Sequence, residues 1–387
     1  MKQKLTAVIA GGGIGGLAAA AALGMRGWDV TLFERQDALR ASGSGIYIWE
    51  NGLRVLEALG AAEAATQHAF RGHYFEQRDN LGGIIESAPI RADKRLMTVR
   101  RPQLLAALAD AARRYGAKIV TGCEVTGATA RGELLLSDGR RVSGDLALGV
   151  DGVWSRVRQS LGLEVLHEQA QEGALRTVIE AMPGDIPTAD AGKYIENWNG
   201  PLRLLITPVN DREIYLALTC PATNARAKST TLDKALWGDA FPAWRHLIDR
   251  VGADVSWGVY SVTKVTSWSA GRTAILGDAA FAQPPNLGQG GGMAMQSALA
   301  LSVALADVAD ARDIPAALVA WETQERPLVD HCQKWSCLYG EVANLPDEVR
   351  TMTIRAAMSN PWVSAQVFRA ANHIPTGTGH IPVWDQR

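Results

Sequence analysis

Residues 6 to 35 read TAVIAGGGIGGLAAAAALGMRGWDVTLFER, and the order of residue types in this stretch defines a βαβ unit. Ala7-Val8-Ile9-Ala10 is a short apolar run that predicts a buried strand. Gly11 to Gly16 predicts a turn, Leu17 to Met25 an Ala-rich helix, and Val30 to Phe33 a second strand. Gly11, Gly13 and Gly16 form G-x-G-x-x-G: the first permits a tight turn, the second lets backbone approach a pyrophosphate, and the third allows close helix-to-strand packing. The helix N-terminus then faces the phosphates. Glu34 follows Gly11 by 23 positions, about where an acid accepts hydrogen bonds from the adenosine ribose hydroxyls. Arg35 beside it is counted with the cofactor-binding residues. The unit itself leaves open whether the dinucleotide is FAD or NAD. Its five glycines also break the uncharged run, so it reads as neither a signal segment nor a membrane span.

Composition narrows the class of partner. The chain has 387 residues, 47% hydrophobic and 20% charged, enough for a large core and more than one structural unit. Lys plus Arg 39 nearly cancels Asp plus Glu 40, so no summed field draws nucleic acid or an anionic membrane. Cys123, Cys220, Cys332 and Cys337 lie apart, without C-x-x-C, which fits a reducing cytoplasm rather than a disulfide framework. The seven histidines show no H-E-x-x-H, and no metal is expected.

Three later segments resemble the flavoprotein aromatic hydroxylases, the single-component FAD-dependent monooxygenases. The first is VDGVWSRVR, residues 150 to 158; the resemblance places Asp151, Gly152 and Arg156 near the FAD and the nicotinamide donor. Read bare, Asp-Gly is a turn signal, with Ser155 in position to cap a helix. The second is AILGDAAFAQPPNLGQGGGMAMQSALAL, residues 274 to 301. Here the resemblance implies that Asp278 holds the ribityl chain, and that Pro285, Gly288, Gly290 and Gly291 run along the isoalloxazine ring. Physically, a Gly-rich turn feeding a helix N-terminus offers unhindered N–H groups to an anionic reduced flavin. The third is LRASGSGIYIWENGLRVLEALG, residues 39 to 60, which puts Arg40, Gly43 and Gly45 beside the flavin. Arg101, in TVRRPQLLAAL, matches an arginine that points at FAD, with Arg100 as its competitor. The family's usual His after G-D-A-A is Phe281 here, its Asn near the end of the glycine loop is Gly292, and its Glu-Asp pair is Gln296-Ser297.

Within the family the likeness is greatest to oxygenases of hydroxypyridine carboxylates. It implies substrate contacts from Tyr74 in GHYFEQ, Arg203 in PLRLLITP and Tyr215 in EIYLAL. PLRLLITPVNDREIYLALTCP also reads as two strands joined by a polar turn at Asn210 to Arg212. Alternation then puts Arg203 and Tyr215 on one sheet face, where a guanidinium would pair a substrate carboxylate and a phenol would hold a ring hydroxyl. Trp198, Trp257 and Trp268 would wall an aromatic pocket or fill core.

The resemblance implies an α/β fold: a Rossmann-like FAD-binding domain with an inserted β-rich substrate domain and a C-terminal helical segment. The FAD-binding domain would comprise 1–68, 98–170 and 271–335, the substrate sheet 69–97 and 171–270, and the tail 336–387. The implied activity consumes NADH or NADPH and O₂. The reduced FAD forms a C4a-hydroperoxide that oxygenates a small hydroxylated aromatic acid, with hydroxylation alone or with ring opening. The substrate would be a hydroxypyridine carboxylate, or else a benzenoid acid such as a salicylate or hydroxybenzoate. A flavin oxidase or dehydrogenase without oxygen insertion, and a non-catalytic redox sensor, are the rival classes. Either a monomer or a homo-oligomer is compatible with the sequence.

Overall fold

The computed structural model describes residues 4–39, 44–253 and 255–379. Its first lobe is built on a six-stranded sheet. In spatial order the strands are Ser269–Ala270, Thr273–Ile275, Leu146–Gly149, Thr6–Ala10, Asp29–Phe33 and Lys118–Val120. All pairs are parallel except the first. Parallel strands covered on both faces need continuous apolar runs, and Leu146–Gly149 and Thr273–Ile275 are buried at every residue. The helix Ile14–Met25 is buried nearly all round, because it lies among the sheet, the helix Arg101–Arg114 and the helix Gly290–Ala304. Its alanines permit that close approach.

One consequence of the register organises the site. Ile275 pairs with Gly149, Gly149 with Ala10, and Ala10 with Phe33. Four neighbouring strands therefore end at one level, and the segments that leave them carry Asp278, Asp151, Gly11 and Glu34. Ligands of open parallel sheets sit outside the carboxyl ends of the strands, which is where these four motifs meet.

The second lobe is a seven-stranded sheet in the order Ser256–Val265, Glu164–Glu180, Glu213–Pro221, Leu202–Asn210, Lys193–Asn199, Tyr74–Asp79, Ile84–Pro89. Only the pair Lys193–Asn199 with Tyr74–Asp79 is parallel. The expected hairpin is present: Leu202–Asn210 and Glu213–Pro221 pair antiparallel, with Arg203 opposite Thr219 and Thr207 opposite Tyr215. The strand Glu164–Glu180 carries the sheet back before position 171. One face, with Leu175, Ile206, Leu216 and Leu218, forms a core with Trp237, Phe241 and Trp244 from the segments that follow. The other face looks toward the first lobe. A small sheet of Gly45–Trp49, Leu96–Arg100 and Phe70–Arg71 joins the two.

Trp268 is core, packed between Phe281 and Trp321. Trp257 lies against the helical side of the large sheet, whereas Trp198 is on its inner face. The long helix Ile314–Val342 and the helices Asp347–Ser359 and Pro361–Val367 make the C-terminal region. Among the described residues no helix is long and apolar enough to cross a membrane.

Candidate active site

The dinucleotide turn has the geometry that its glycines require. Gly11 has φ +105°, and a Cβ there would lie 2.3 Å from the Val150 carbonyl oxygen. A Cβ on Gly16 would lie 1.9 Å from the Gly11 oxygen, so helix and strand touch through backbone. Above Gly13 a Cβ would meet nothing within 4 Å, leaving open space over the helix N-terminus. Glu34 accepts from the Gly12 N–H at 2.8 Å and the Gln36 N–H at 2.9 Å, which aims its carboxylate across the turn. Arg35 is exposed and makes no ion pair among the described residues. Arg40 and Gly43 lie outside the described residues.

Asp151 serves its own turn. Its Oδ1 accepts from Ser155 Oγ at 2.5 Å, and its Oδ2 accepts from the N–H groups of Arg156 at 2.8 Å and Val157 at 3.2 Å. Ser155 Oγ in turn accepts from the Arg158 N–H at 2.9 Å, so both residues cap the helix Arg156–Ser160. The Asp151 carboxylate, expected near the FAD, is engaged in capping this helix. Arg158, which the sequence reading passed over, is fully buried and donates to the carbonyls of Ala279 and Val153. It ties the D-G turn to the G-D turn.

Asp278 opens the short helix Asp278–Phe281 after Gly277, whose φ is +66°. Asp278 is exposed, and its carboxylate has no hydrogen-bond partner among the described residues. The protein around it raises the carboxyl above its ordinary value, opposed by the charge of Arg101. Arg100 is instead paired with Glu213 at 3.2 Å. Of the two candidate arginines, Arg101 is the one whose charge reaches the cleft.

Beyond Asp278 runs the turn Pro285–Leu287, then Gly288 at φ +62° and the helix Gly290–Ala304. Pro285 is exposed. A Cβ on Gly288 would press on Trp49 Nε1 at 3.2 Å and Tyr47 Cβ at 3.3 Å, and one on Gly291 would come 3.1 Å from Ile46 Cδ1. Over Gly290 there is nothing within 4 Å. Trp49 Nε1 donates to the Leu287 carbonyl at 3.1 Å, fixing the loop against the small sheet. Uncovered helix N-termini at Gly13 and Gly290, with an unpartnered carboxylate between, fit the two halves of a flavin dinucleotide.

The wall opposite is the inner face of the large sheet, and here the expectations need correction. Tyr74 pairs with Lys193, which puts it on the outer face with Glu76 and Arg78, and it is exposed. Its neighbour Phe75 takes the inward place, stacked on Tyr194 and Trp49. Arg203 does face inward, but it is 5% exposed and has carboxylates of the chain beside it. Its Nη2 donates to Asn286 Oδ1 at 2.7 Å and lies 3.5 Å from Glu172 Oε1, while Nη1 lies 3.5 Å from Glu196 Oε1. The guanidinium also covers the Trp198 ring at 5.2 Å. A charge at this depth has to be paired, and the chain supplies two carboxylates itself. The expected carboxylate clamp thus has two carboxylates of the chain itself beside it.

Tyr215 is buried, its ring against Gly45, where a Cβ would come 2.8 Å from the ring. Burial pushes its phenol up, opposed by Arg176. Arg176 pairs with Ala217 on the same face, so its guanidinium stands beside Tyr215. It lies 5.3 Å from the centre of the Tyr260 ring, has no carboxylate partner among the described residues, and is missing from the sequence reading. The Tyr260 and Thr219 hydroxyls are 3.1 Å apart. Tyr47 reaches in from the small sheet to bond Thr207.

The sequence profile of the FAD binding domain family matches residues 4–336. The chain belongs to the flavoprotein aromatic hydroxylases. It is 36% identical to the 2-heptyl-3-hydroxy-4(1H)-quinolone synthase of Mycobacteroides abscessus over 348 residues, 89% of this chain and 92% of the relative. A candidate synthase of the same name from Rhodococcus erythropolis is 39% identical over 373 residues, 96% and 97% of the two chains. Among solved structures, the tetrameric form of 2-methyl-3-hydroxypyridine-5-carboxylic acid oxygenase matches with a TM-score of 0.85 at 34% identity, covering 96% of this chain and 97% of that one. This flavoprotein hydroxylase is an FAD-dependent aromatic monooxygenase, with NAD(P)H as the electron donor typical of the family. FAD supplies the activation of O₂; the chain's own residues seat it, orient the ring to be oxygenated and keep water out.

Proposed function

We propose that this hydroxylase oxygenates an oxo- or hydroxy-substituted nitrogen heteroaromatic, and that a neutral 4(1H)-quinolone is its preferred substrate. The observation that carries this is the state of Arg203. Glu172 and Glu196 flank the guanidinium, and a substrate carboxylate placed there would face two others. Arg176, on the same face and without a carboxylate partner among the described residues, stands beside two tyrosines and suits a ring oxygen whose negative charge grows as the ring attacks electrophilic oxygen. The names of the two quinolone synthases support the same class. Their product carries a 3-hydroxyl, which a monooxygenase would add to 2-heptyl-4(1H)-quinolone.

A hydroxypyridine carboxylate is the second reading, favoured by the TM-score of 0.85 and by Arg176 as a cation able to take a carboxylate. Supplying FAD-loaded protein with NADH or NADPH and isotopically labelled O₂ separates the readings. The expected result is labelled 3-hydroxyquinolone formed in step with NAD(P)H oxidation, with 2-methyl-3-hydroxypyridine-5-carboxylate and salicylate giving mostly peroxide. Labelled product from the pyridine acid and only peroxide from the quinolone would reverse the assignment.

A further inference from the structure

Glu196 is a carboxylate on the inner wall of the large sheet whose two oxygens differ in how they are bonded. It pairs with Leu205 across the strands and so shares the face of Arg203, Thr207 and Tyr215. Five elements present groups to it: Arg203 from its hairpin strand, Glu172 from Glu164–Glu180, Tyr339 from the long C-terminal helix, Gln77 from Tyr74–Asp79 and Tyr47 from the small sheet. The two carboxylate oxygens are treated unequally. Oε2 accepts from the Tyr339 hydroxyl and from Gln77 Nε2 at 3.3 Å. Oε1 has only Arg203 Nη1, at 3.5 Å, beyond a good charge-assisted bond. The side chain keeps 14% exposure, against 6% for Arg203 behind it. One oxygen is thus anchored while the other keeps accepting capacity, on the sheet face that also carries Arg176 and Tyr215.

We propose that Glu196 is the catalytic base of this enzyme, accepting on Oε1 the acidic ring N–H or O–H proton of the substrate while Tyr339 and Gln77 hold Oε2. This rests on the reading of the substrate as a protic heteroaromatic. In the step, the substrate N–H bond breaks, the proton goes to Oε1, and the bonding pair stays in the ring, enriching the carbon to be oxygenated. After that carbon gains oxygen, its own C–H proton leaves to the water that carries off the second oxygen atom. The ring nitrogen takes its proton back from Glu196, and the carboxyl ends as it began. Burial, together with Glu172, holds the carboxyl above its ordinary value against the pull of Arg203 and Tyr339.

Calorimetric titration of the FAD-loaded protein tests this without turnover. The probes are 2-heptyl-4(1H)-quinolone, its N-methyl derivative and 2-methyl-3-hydroxypyridine-5-carboxylate, each in buffers of different ionisation enthalpy. An N–H donated to ionised Glu196 lowers its pKa, so binding of a protic probe releases a fraction of a proton. That release is expected in wild type, absent in E196Q, and absent for the N-methyl probe. Loss of the Tyr339 donor raises the carboxyl further, so Y339F moves the pH of greatest release upward. In turnover, E196Q is expected to lose roughly 100-fold or more in kcat/KM together with the acid limb of the pH profile. Proton release undiminished in E196Q, or no release from either protic probe in wild type, overturns the proposal. Release with the pyridine alone would sink the quinolone reading and leave Glu196 as the base.

Discussion

At the scale of single residues, the site separates groups that hold FAD from groups that hold each other. Asp278 has no protein partner among the described residues, so its hydrogen bonds are available to the cofactor. Hydrogen bonds to a charged group are worth about 1.5–3 kcal/mol each. D278A is expected to purify folded but colourless, with FAD affinity down at least tenfold by fluorescence titration; a yellow variant with unchanged affinity would contradict the placement of the ribityl chain. Arg203 and Arg176 make the opposite pair. Removing Arg203 leaves Glu172 and Glu196 facing each other in a buried wall, so R203A should cost about 3–5 kcal/mol of stability in urea unfolding. Arg176 has no carboxylate to abandon. R176Q should keep its unfolding midpoint and weaken quinolone binding by about tenfold or more, the worth of one charge-assisted contact. Equal stability losses in the two variants would erase the distinction.

At the scale of elements, the outer face of the large sheet carries a second charge cluster, which governs behaviour in acid. Arg78 donates to Glu76 at 2.6 Å and to Asp190 at 3.0 Å, and Lys193 lies 2.9 Å from Glu76. Burial raises both carboxyls, but the bonds from Arg78 and Lys193 outweigh it and leave Glu76 and Asp190 below their ordinary values. Because the folded values are lowered, their stabilisation is complete above the unfolded range near 4 and is lost as pH falls through the folded values. The urea midpoint should stay level from pH 7 to about 5 and fall steeply below about 4, with a shallower fall in D190N; equal slopes would exclude the cluster as the cause. Elements also explain what could be read in advance. The glycine turns were legible because a tight turn and an open helix N-terminus are local demands, met within a few residues of Gly11 or Gly288. Arg176 and Glu196 were not, because their facing depends on the register of Glu164–Glu180 and Lys193–Asn199 against strands they meet only in the folded sheet. Tyr74 shows the same limit from the other side, since a one-residue step exchanges it with Phe75.

At the scale of the whole molecule, the flavin loop is the joint between the lobes. Asn286 accepts from Arg203 on the large sheet at 2.7 Å and donates to the Ser336 carbonyl of the long helix at 3.0 Å and to Glu172 at 3.3 Å. Trp49 holds Leu287 from the small sheet. A cofactor that orders this loop therefore acts on the strand Leu202–Asn210 through Asn286, beside the backbone bond from the Thr263 N–H to the Ala282 carbonyl, and the two lobes should stiffen together when FAD is seated. At a hundredfold excess over its dissociation constant FAD adds about 2.7 kcal/mol to the folded state, whichever part it touches. The distribution of that stabilisation is what the geometry specifies. On adding FAD, amide exchange should slow at 278–292 and also along Leu202–Asn210, the strand that carries Arg203. In N286A the first protection should persist and the second should weaken, because the loop can still meet the flavin but no longer holds Arg203 on that strand. If Leu202–Asn210 exchanges at the same rate with and without FAD in the unaltered protein, the lobes are independent and substrate recognition has to be explained by the wall alone.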